Sequence, residues 1–233
     1  MKITVVIPMY NESGIIERTA RILSEYMESA FDLYEIIFFD DGSTDGSAGI
    51  VDSLGLPCVR VLGTQENHGK GSAVRRGMLE ATGDIRVFTD ADLAYGTDVI
   101  RRVYDLMCED TDVDAVIGSR NIGEDGYQGY SFKRKLMSKV YIKILCLMGG
   151  FRLSDSQCGF KAFKASAANE LFPLCTVDGF AFDLEVILNA IKYNMQIKEM
   201  PVKIINHRGS SVHPVRDAFR MLRDLRKIKK KIK

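Results

Sequence analysis

The first half of the chain alternates short apolar runs with longer segments in which apolar residues recur at helical spacing. The runs are rich in β-branched residues and nearly continuous in apolar character, as expected of strands buried on both faces of a sheet. Their alternation with helices predicts an α/β fold with a mostly parallel central sheet flanked by helices. The predicted strands are residues 3–8, 34–40, 58–63, 85–90 and 114–119. The predicted helices are residues 15–30, 45–54, 70–81 and 98–108.

This rhythm changes after residue 120, where a second arrangement of elements begins. The predicted order is a loop at 121–130, a helix with basic residues and an apolar face at 131–150, a strand at 158–163, a helix at 181–194, a strand at 196–205 and a basic terminal helix. No internal repeat and no Pro/Gly-rich linker separates the two arrangements. We therefore expect one domain over residues 1–233, with a nucleotide-type half at 1–120, a substrate half at 121–213 and a basic helix at 214–233.

The composition is that of a globular protein. Of the 233 residues 46% are apolar and 27% are charged, which excludes disordered, collagen-like and coiled-coil classes. The five cysteines are odd in number and contain no C-x-x-C pair, which argues against a disulfide framework or a zinc site. The N-terminus is predicted to be a strand, and no apolar run reaches the ~20 residues of a membrane span. These features predict a protein without a membrane span in a reducing, cytoplasmic compartment.

Charge is unevenly distributed along the chain. The net charge is +1, yet residues 216–233 carry +7 and the remaining chain therefore carries −6. Apolar residues in this terminal segment recur at helical spacing opposite the basic ones. The pattern is typical of an interfacial helix attracted to anionic lipid, and equally of a terminal helix that packs on its own domain. No recognition motif for nucleic acid accompanies it, so we expect a membrane surface as the acidic partner and leave a membrane protein open as another.

Polar clusters follow each of the first five predicted strands. In open α/β sheets, ligands bind outside the carboxyl ends of the strands. Five polar loops at one edge therefore indicate a binding site. The clusters are "PMYNE", "DDGSTDGS", "ENHGKGSAVRRG", "DADLAY" and "SRN".

Asp90 and Asp92 form a D-x-D pair after the fourth strand. In an extended segment, residues two apart face the same side with Cα atoms about 6 to 7 Å apart. Magnesium is characteristically held by one or two carboxylates together with substrate phosphates and water. The pair thus suits a metal–diphosphate complex, although one of the two could instead cap the following helix.

Two further clusters fit a nucleotide. Asp40 and Asp41 can accept hydrogen bonds from a base or a ribose, or they can belong to a turn in which a hydroxyl caps the next helix. The segment "NHGKGSAVRRG" has neither the P-loop nor the G-x-G-x-x-G spacing. We interpret it as a glycine-rich loop that brings Lys70 and backbone N–H groups near a nucleotide, the alternative being an ordinary helix start.

Taken together, "VVIPMYNE", "FFDDGSTDGS", "NHGKGSAVRRGM", "GDIRVFTDADL", "GSRN" and "SDSQCGFKAF" resemble the inverting family-2 glycosyltransferases of the GT-A fold. Among these the chain is most similar to the polyprenyl (dolichyl) phosphate sugar transferases. The segments "DSQCGFKAF" and "GFAFDLE" are especially similar to the dolichyl-phosphate glucosyltransferase branch. The resemblance implies UDP-glucose as the donor and polyprenyl phosphate as the acceptor, with GDP-mannose as the alternative donor.

The resemblance also assigns roles to single residues. It implies that Asp90 and Asp92 hold Mg²⁺ or Mn²⁺ on the diphosphate, and that Arg120 and Arg134 face the acceptor phosphate. The implied donor-binding residues are Pro8, Tyr10, Glu12, Asp40, Asp41, Lys70, Asp90 and Arg208. The chain departs from the family at Ala94, where some relatives place a metal-ligating glutamine, and at Ser211, where lysine is common.

Elementary chemistry agrees with these roles. Attack at an anomeric carbon expels a nucleoside diphosphate, whose negative charge a metal ion can stabilise. An acceptor phosphate is already ionised and needs cations to position it more than it needs a base. Asp155 is the candidate carboxylate on that side, as an orienting group or a base. Asp183 and Glu185 could line the sugar pocket, but residues two apart on a helix do not share a face, so only one should point inward.

We therefore expect a peripheral enzyme at the cytoplasmic face of a membrane that transfers a hexose with inversion. A family-2 transferase with a sugar-hydroxyl acceptor in polysaccharide synthesis is the second hypothesis, and it would need a true base. A nucleotidyltransferase is disfavoured because its glycine-rich first loop is replaced by "PMYNESG". From a different class, a non-catalytic nucleotide-sugar or lipid-binding module is disfavoured by the intact D-x-D.

Overall fold

The computed structural model describes residues 1–122, 126, 132–206 and 214–232, with the backbone alone described for residues 132–136 and 214–220. Within these ranges seven strands form one sheet in the order β3-β2-β1-β4-β6-β5-β7. The strands are β1 Ile3–Met9, β2 Tyr34–Asp41, β3 Val59–Thr64, β4 Ile85–Phe88, β5 Ala115–Ser119, β6 Lys161–Lys164 and β7 Ile197–Pro201.

Most neighbouring strands are parallel, as the sequence predicts. Strand β1 pairs in parallel with β2 and β4, β2 with β3, and β5 with β7. Strand β6 is the exception, because it lies between β4 and β5 and runs antiparallel to both. The short β6 thereby brings the segment that precedes it to the carboxyl ends of β4 and β5.

Eight α-helices and one short 3-10 helix are present in the described parts of the chain. The helices are α1 Ile16–Ala30, α2 Ser47–Ser53, α3 Lys70–Glu80, α4 Asp98–Glu109, α5 Phe132–Gly149, α6 Ala165–Leu171, α7 Phe182–Lys192 and α8 Pro214–Ile232, with the 3-10 helix at Phe172–Leu174. The predicted boundaries agree within a few residues. Helix α6 and the 3-10 helix fall in residues 164–180, for which no element is predicted.

Apolar side chains cover both faces of the sheet. Along β1, Val5 and Ile7 join the core beneath α1 and α4, whereas Val6 joins the core with α3, α6 and α7. This alternation explains why the strand is apolar at nearly every position, since successive side chains point to opposite faces. A third cluster joins α5, α7 and α8 beside the end of β5.

The basic terminal helix α8 packs on the domain. Its Leu225 and Ile228 are buried, 0% and 2% exposed, against α5 and α7. Its charged side chains Arg223 and Lys227 point to solvent. The two interpretations of this helix are thus decided for the described side chains: these apolar residues fill a core and are not available to a membrane. In the described parts of the chain, no helix has the length and apolar character to traverse a bilayer.

Candidate active site

The carboxyl end of β4 carries the D-x-D pair in a tight turn. Strand β4 ends at Phe88, and the N–H of Leu93 donates to the carbonyl of Asp90 at 3.0 Å. Leu93 adopts a left-handed conformation with φ of 46°. The expectation of an extended segment at residues 90–92 is therefore wrong, because the chain must turn here to enter α4. Both carboxylates nevertheless lie at this edge of the sheet.

Asp90 forms an ion pair with Lys70, the first residue of α3. The other oxygen of this carboxylate lies against the backbone of Gly159, so closely that a Cβ atom there would overlap Asp90 Oδ2. Gly159 belongs to the segment that leads into β6, and its N–H donates to the hydroxyl of Tyr95 at 3.3 Å. Asp90 is thus held between a cation and a glycine, and sequence reasoning did not single out that glycine.

A second ion pair continues from the first. The ammonium of Lys161, a completely buried residue of β6, lies 2.5 Å from Asp183 Oδ1 and 2.7 Å from the carbonyl of Cys158. Burial raises the pKa of Asp183 despite the opposing charges of Lys161 and Lys70. For Lys70, burial disfavours the cation, but Asp90 and Asp183 outweigh it and raise the pKa. From β6 to the D-x-D turn, four charged side chains thus follow one another with alternating sign: Lys161, Asp183, Lys70 and Asp90.

Lys161 was missed from the sequence, although one signal was available. It is a lysine inside the otherwise apolar strand segment "CGFKAF", where a charged residue is almost never fully buried unless it is paired. As expected for residues two apart on a helix, Asp183 and Glu185 do not share a face: Asp183 faces this cluster, and Glu185 faces elsewhere. Glu185 accepts the N–H groups of Thr176 and Val177, both at 2.7 Å.

Asp92 lies in the middle of the same turn. Its Oδ1 accepts the N–H of Ala94 at 3.1 Å. The side-chain amide of Asn206 donates to the carbonyls of Asp92 and Leu93 at 3.3 and 2.9 Å, and the N–H of Ile205 donates to the carbonyl of Ala94 at 2.8 Å. The chain after β7 therefore fixes the backbone of the turn through hydrogen bonds, one of which is accepted by the carbonyl of Ala94.

The two carboxylates after β2 organise neighbouring loops. Asp40 accepts both the N–H and the hydroxyl of Ser43. Asp41 is almost fully buried and accepts the N–H groups of His68 and Gly69 at 3.1 and 2.7 Å. Both residues remain predicted contacts of the nucleotide-sugar donor. The structure shows that each also holds a neighbouring loop in place.

The glycine-rich loop before α3 differs from the expectation in one respect. The N–H groups of Gly71 and Ser72 donate to the carbonyl of Asp178 at 2.7 and 3.3 Å. Together with the two N–H groups bound by Asp41, four backbone donors of this loop are used inside the protein. The prediction that N–H groups here reach a nucleotide is wrong for these four, because the loop of residues 177–179 packs on the start of α3. Lys70 remains at the site.

The loop after β1 lies next to this region. Pro8 is buried in β1, Tyr10 is 46% exposed, and Glu12 is half-buried. The loop is tied to the one after β2, since the N–H of Glu12 donates to Ser47 Oγ at 2.8 Å and the N–H of Thr44 donates to Asn11 Oδ1 at 2.9 Å. The exposed ring of Tyr10 is thus presented at the rim of the sheet edge.

Arg120 and Asp155 form a buried pair at the end of β5. The carboxylate of Asp155, 0% exposed, accepts Nε and Nη2 of Arg120 at 2.6 and 2.9 Å and the Arg120 N–H at 3.1 Å. A carboxylate that is buried and bonded in this way orients the guanidinium and is poorly placed to abstract a proton. Of the two predicted roles for Asp155, the structure favours the orienting one.

A cavity of about 560 Å³ begins at Asn121 and Ser154, the chain neighbours of this pair. It lies between α5 and the loop of residues 151–154, so it combines cationic and apolar walls. Its lining includes Asn121, Lys139, Ile142, Lys143, Phe151 and Arg152. The predicted contact Arg134 lies in α5 outside the described side chains, and Arg208 and Ser211 lie outside the described residues.

Comparison with known proteins decides the family. Residues 4–172, well over half of the chain, match the sequence model described as glycosyl transferase family 2. The chain belongs to this glycosyltransferase family. It is 33% identical to a dolichyl-phosphate beta-glucosyltransferase of Dictyostelium discoideum, across 97% of the chain and 73% of that protein. It is 30% identical to the enzyme of the same description from Saccharomyces cerevisiae, across 96% of the chain and 72% of that protein.

The fold is shared with solved glycosyltransferase structures. Glucosyl-3-phosphoglycerate synthase from Mycobacterium tuberculosis, crystallised with Mn²⁺, uridine diphosphate and phosphoglyceric acid, superposes with a TM-score of 0.75 at 18% identity. The superposition covers 99% of this chain and 78% of that one. The predicted GT-A fold is confirmed, and the chain is a glycosyltransferase with that architecture.

The carboxylates of this glycosyltransferase fit a metal ion only in part. In the described residues, no three or more His, Cys, Asp and Glu side chains come together as a metal site. Asp90 and Asp92 supply two carboxylates, and a cation, the Lys70 ammonium, already lies against one of them. Such a pair suits a divalent ion that takes its other ligands from a diphosphate and water, and it does not suit a closed cage.

We expect Gly159→Ala to destabilise the fold, because the added Cβ would overlap the Asp90 carboxylate that Lys70 holds in place. Overpacking of this kind costs about 1 to 3 kcal/mol, measurable by urea unfolding. Gly49→Ala is the matched control, since a Cβ added at this position inside α2 would have no atom within 4 Å. Because alanine is the better helix former, Gly49→Ala should match or exceed the stability of the unmodified protein. An unfolding free energy of Gly159→Ala equal to that of the unmodified protein would show that the approach to Asp90 is not tight.

Proposed function

We propose that the chain is a dolichyl-phosphate β-glucosyltransferase that transfers glucose from UDP-glucose to dolichyl phosphate with inversion. The observation that carries the proposal is the cationic character of this part of the sheet edge. Buried Asp155 holds Arg120 there, and a mixed cationic and apolar cavity begins at their chain neighbours Asn121 and Ser154. An amphipathic phosphate ester matches these walls. The dolichyl-phosphate beta-glucosyltransferases to which the chain is 30–33% identical support glucose as the transferred sugar and dolichyl phosphate as the acceptor.

On the donor side, Asp90 and Asp92 would hold Mg²⁺ or Mn²⁺ together with the diphosphate. Such an ion would supply positive charge against the negative charge on the departing nucleoside diphosphate. Lys70, at the start of α3 and paired with Asp90, would place its ammonium next to the same diphosphate. The nucleotide pocket is lined at its rim by Tyr10 and Glu12. Behind them it is lined by Pro8, Asp40 and Asp41. Arg208 is the further cation that we propose for the diphosphate of the donor.

On the acceptor side, Arg120 binds the acceptor phosphate, with Arg134 as a second cation. Asp155 fixes the guanidinium of Arg120 through two hydrogen bonds. An ionised phosphate oxygen attacks the anomeric carbon without first losing a proton, so the reaction needs no free carboxylate base. The Asp155 carboxylate is bonded to Arg120 and is not free to act as a base. Transfer to a phosphate needs no base, whereas transfer to a sugar hydroxyl does, so the site favours a lipid phosphate as the acceptor.

The membrane side of the enzyme is the outer face of α5. Met137, Val140, Ile144 and Leu147 recur at helical spacing and are 40–84% exposed, which is unusual for four apolar residues on one helix face. Lys139 on the same helix is exposed as well. We propose that this face lies on the headgroups at the cytoplasmic side of a membrane.

Two observations support that placement. Helix α8 lies beside α5, where the ammonium of Lys229 donates to the carbonyl of Met148 at 2.7 Å, and its Arg223 and Lys227 side chains face solvent. Exposed lysine and arginine beside an apolar stripe favour anionic lipid. All five cysteines are free, which suits a reducing compartment. The division into a donor half at 1–120, an acceptor half at 121–213 and the terminal helix remains part of the proposal.

The function is tested by transfer of radiolabelled glucose from UDP-glucose to dolichyl phosphate. We expect transfer with Mn²⁺ or Mg²⁺, loss of transfer with EDTA, and a drop of about 100-fold or more in kcat for Asp92→Ala. Asp112→Ala, which removes an exposed carboxylate far from the turn, should retain full activity. Undiminished transfer by Asp92→Ala in EDTA, or transfer from GDP-mannose alone, would refute the proposal.

Membrane association is tested by sedimentation with sucrose-loaded vesicles of phosphatidylcholine and phosphatidylserine. Leu147→Glu should weaken binding about tenfold, because it replaces the most exposed apolar side chain of the α5 stripe with a charge. Leu33→Glu is the control, since Leu33 is also exposed but lies before β2. If both variants sediment like the unmodified protein, the α5 face is not the membrane contact.

A further inference from the structure

Glu199 of β7 is tied to the loop on the acceptor side of the site. Strand β7 is an edge strand of the sheet, and Glu199 lies opposite Ile117 of β5. Its carboxylate is half-buried beneath residues 154 and 155. Those residues belong to the "SDSQCGF" segment, 45 and 44 positions away along the chain.

Four contacts converge on this one carboxylate. Its Oε1 accepts the N–H of Ser154 at 2.8 Å, the hydroxyl of Ser154 at 2.6 Å and the N–H of Asp155 at 3.1 Å. Its Oε2 accepts the N–H of Ser154 at 2.9 Å. The hydroxyl of Ser154 also lies 2.5 Å from Ser119 Oγ, at the last residue of β5. Hydrogen bonds to an ionised acceptor are about twice as strong as neutral ones, so this set holds the loop firmly.

The loop in turn carries Asp155. The same residue whose N–H donates to Glu199 uses its side chain to hold the guanidinium of Arg120. A second link runs from the side-chain amide of Asn121 to the carbonyl of Ser154 at 2.6 Å. Without the Glu199 carboxylate, two part-buried N–H groups would lose their acceptor, and the loop would have to move to find water. Asp155 and Arg120 would move with it.

We propose that Glu199 is a positioning residue for the acceptor phosphate, acting through the backbone of Ser154 and Asp155 on the guanidinium of Arg120. This inference rests on the proposed function, in which Arg120 binds that phosphate. It makes a specific claim about kinetics: loss of Glu199 should weaken binding of the acceptor and leave the donor side unchanged, because its contacts go to Ser154 and Asp155 and not to the D-x-D turn or Lys70.

The experiment compares Glu199→Ala, Glu199→Asp and Glu199→Gln with the unmodified protein. Steady-state KM is measured for dolichyl phosphate and for UDP-glucose, and binding of UDP with Mn²⁺ is measured separately by calorimetry. We expect a rise of about tenfold or more in the KM for dolichyl phosphate with Ala and with Asp, whose shorter side chain cannot reach the loop. The KM for UDP-glucose and the affinity for UDP should change less than about twofold.

Glu199→Gln should restore most of the acceptor KM, because three of the four contacts go to one oxygen that the amide carbonyl can replace. Glu109→Ala, at an exposed position on α4, is the control for loss of an acidic residue. If Glu199→Ala does not fold, Glu199→Asp decides. An unchanged acceptor KM, an equal rise in both KM values, or a Gln variant no better than Asp would overturn the positioning role. Absence of transfer by the unmodified protein would instead refute the proposed function.

Discussion

Charge compensation at the carboxyl edge of the sheet is the constraint on which the site depends. Asp90, Asp155 and Asp183 lie at this edge, and each is neutralised by a named cation. Carboxylates that are partly or fully removed from water persist as anions only when paired in this way. The pairs are made across the sheet, from α3 to the turn after β4, from β6 to α7 and between the loops that follow β5 and precede β6. The site therefore exists only when the whole edge is assembled.

The two sides of the site use their carboxylates differently. On the proposed donor side the side chains of Asp90 and Lys70 are 32% and 25% exposed, so both groups are accessible from solvent. On the acceptor side Asp155 is fully buried and committed to Arg120. This contrast matches the chemistry of the proposed reaction. The leaving group brings charge that partly exposed groups can meet, whereas the acceptor phosphate needs one cation in a fixed orientation.

The sequence predicts much of the fold and part of the site. Continuous apolar runs identify the parallel strands, because burial on both faces leaves no polar side, and the D-x-D pair and polar loops identify the edge where ligands bind. The antiparallel direction of β6 is not encoded in any local pattern of its four residues. No local pattern shows the contacts of Gly159 and Glu199, since each acts on a partner far away in sequence. Lys161 stands out locally as a lysine in an apolar strand, but its partner Asp183 does not. Local sequence shows that a residue is buried, and only the assembled sheet shows what it contacts.

The proposed mechanism requires that the D-x-D turn bind a metal–nucleotide complex. The most direct test is anomalous diffraction from crystals grown with Mn²⁺ and UDP. We expect one manganese peak in contact with Asp90 or Asp92, with the diphosphate bound to it and the Lys70 ammonium against a phosphate oxygen. A nucleotide bound at another edge of the sheet, or a manganese ion bound with UDP away from both aspartates, would contradict the mechanism.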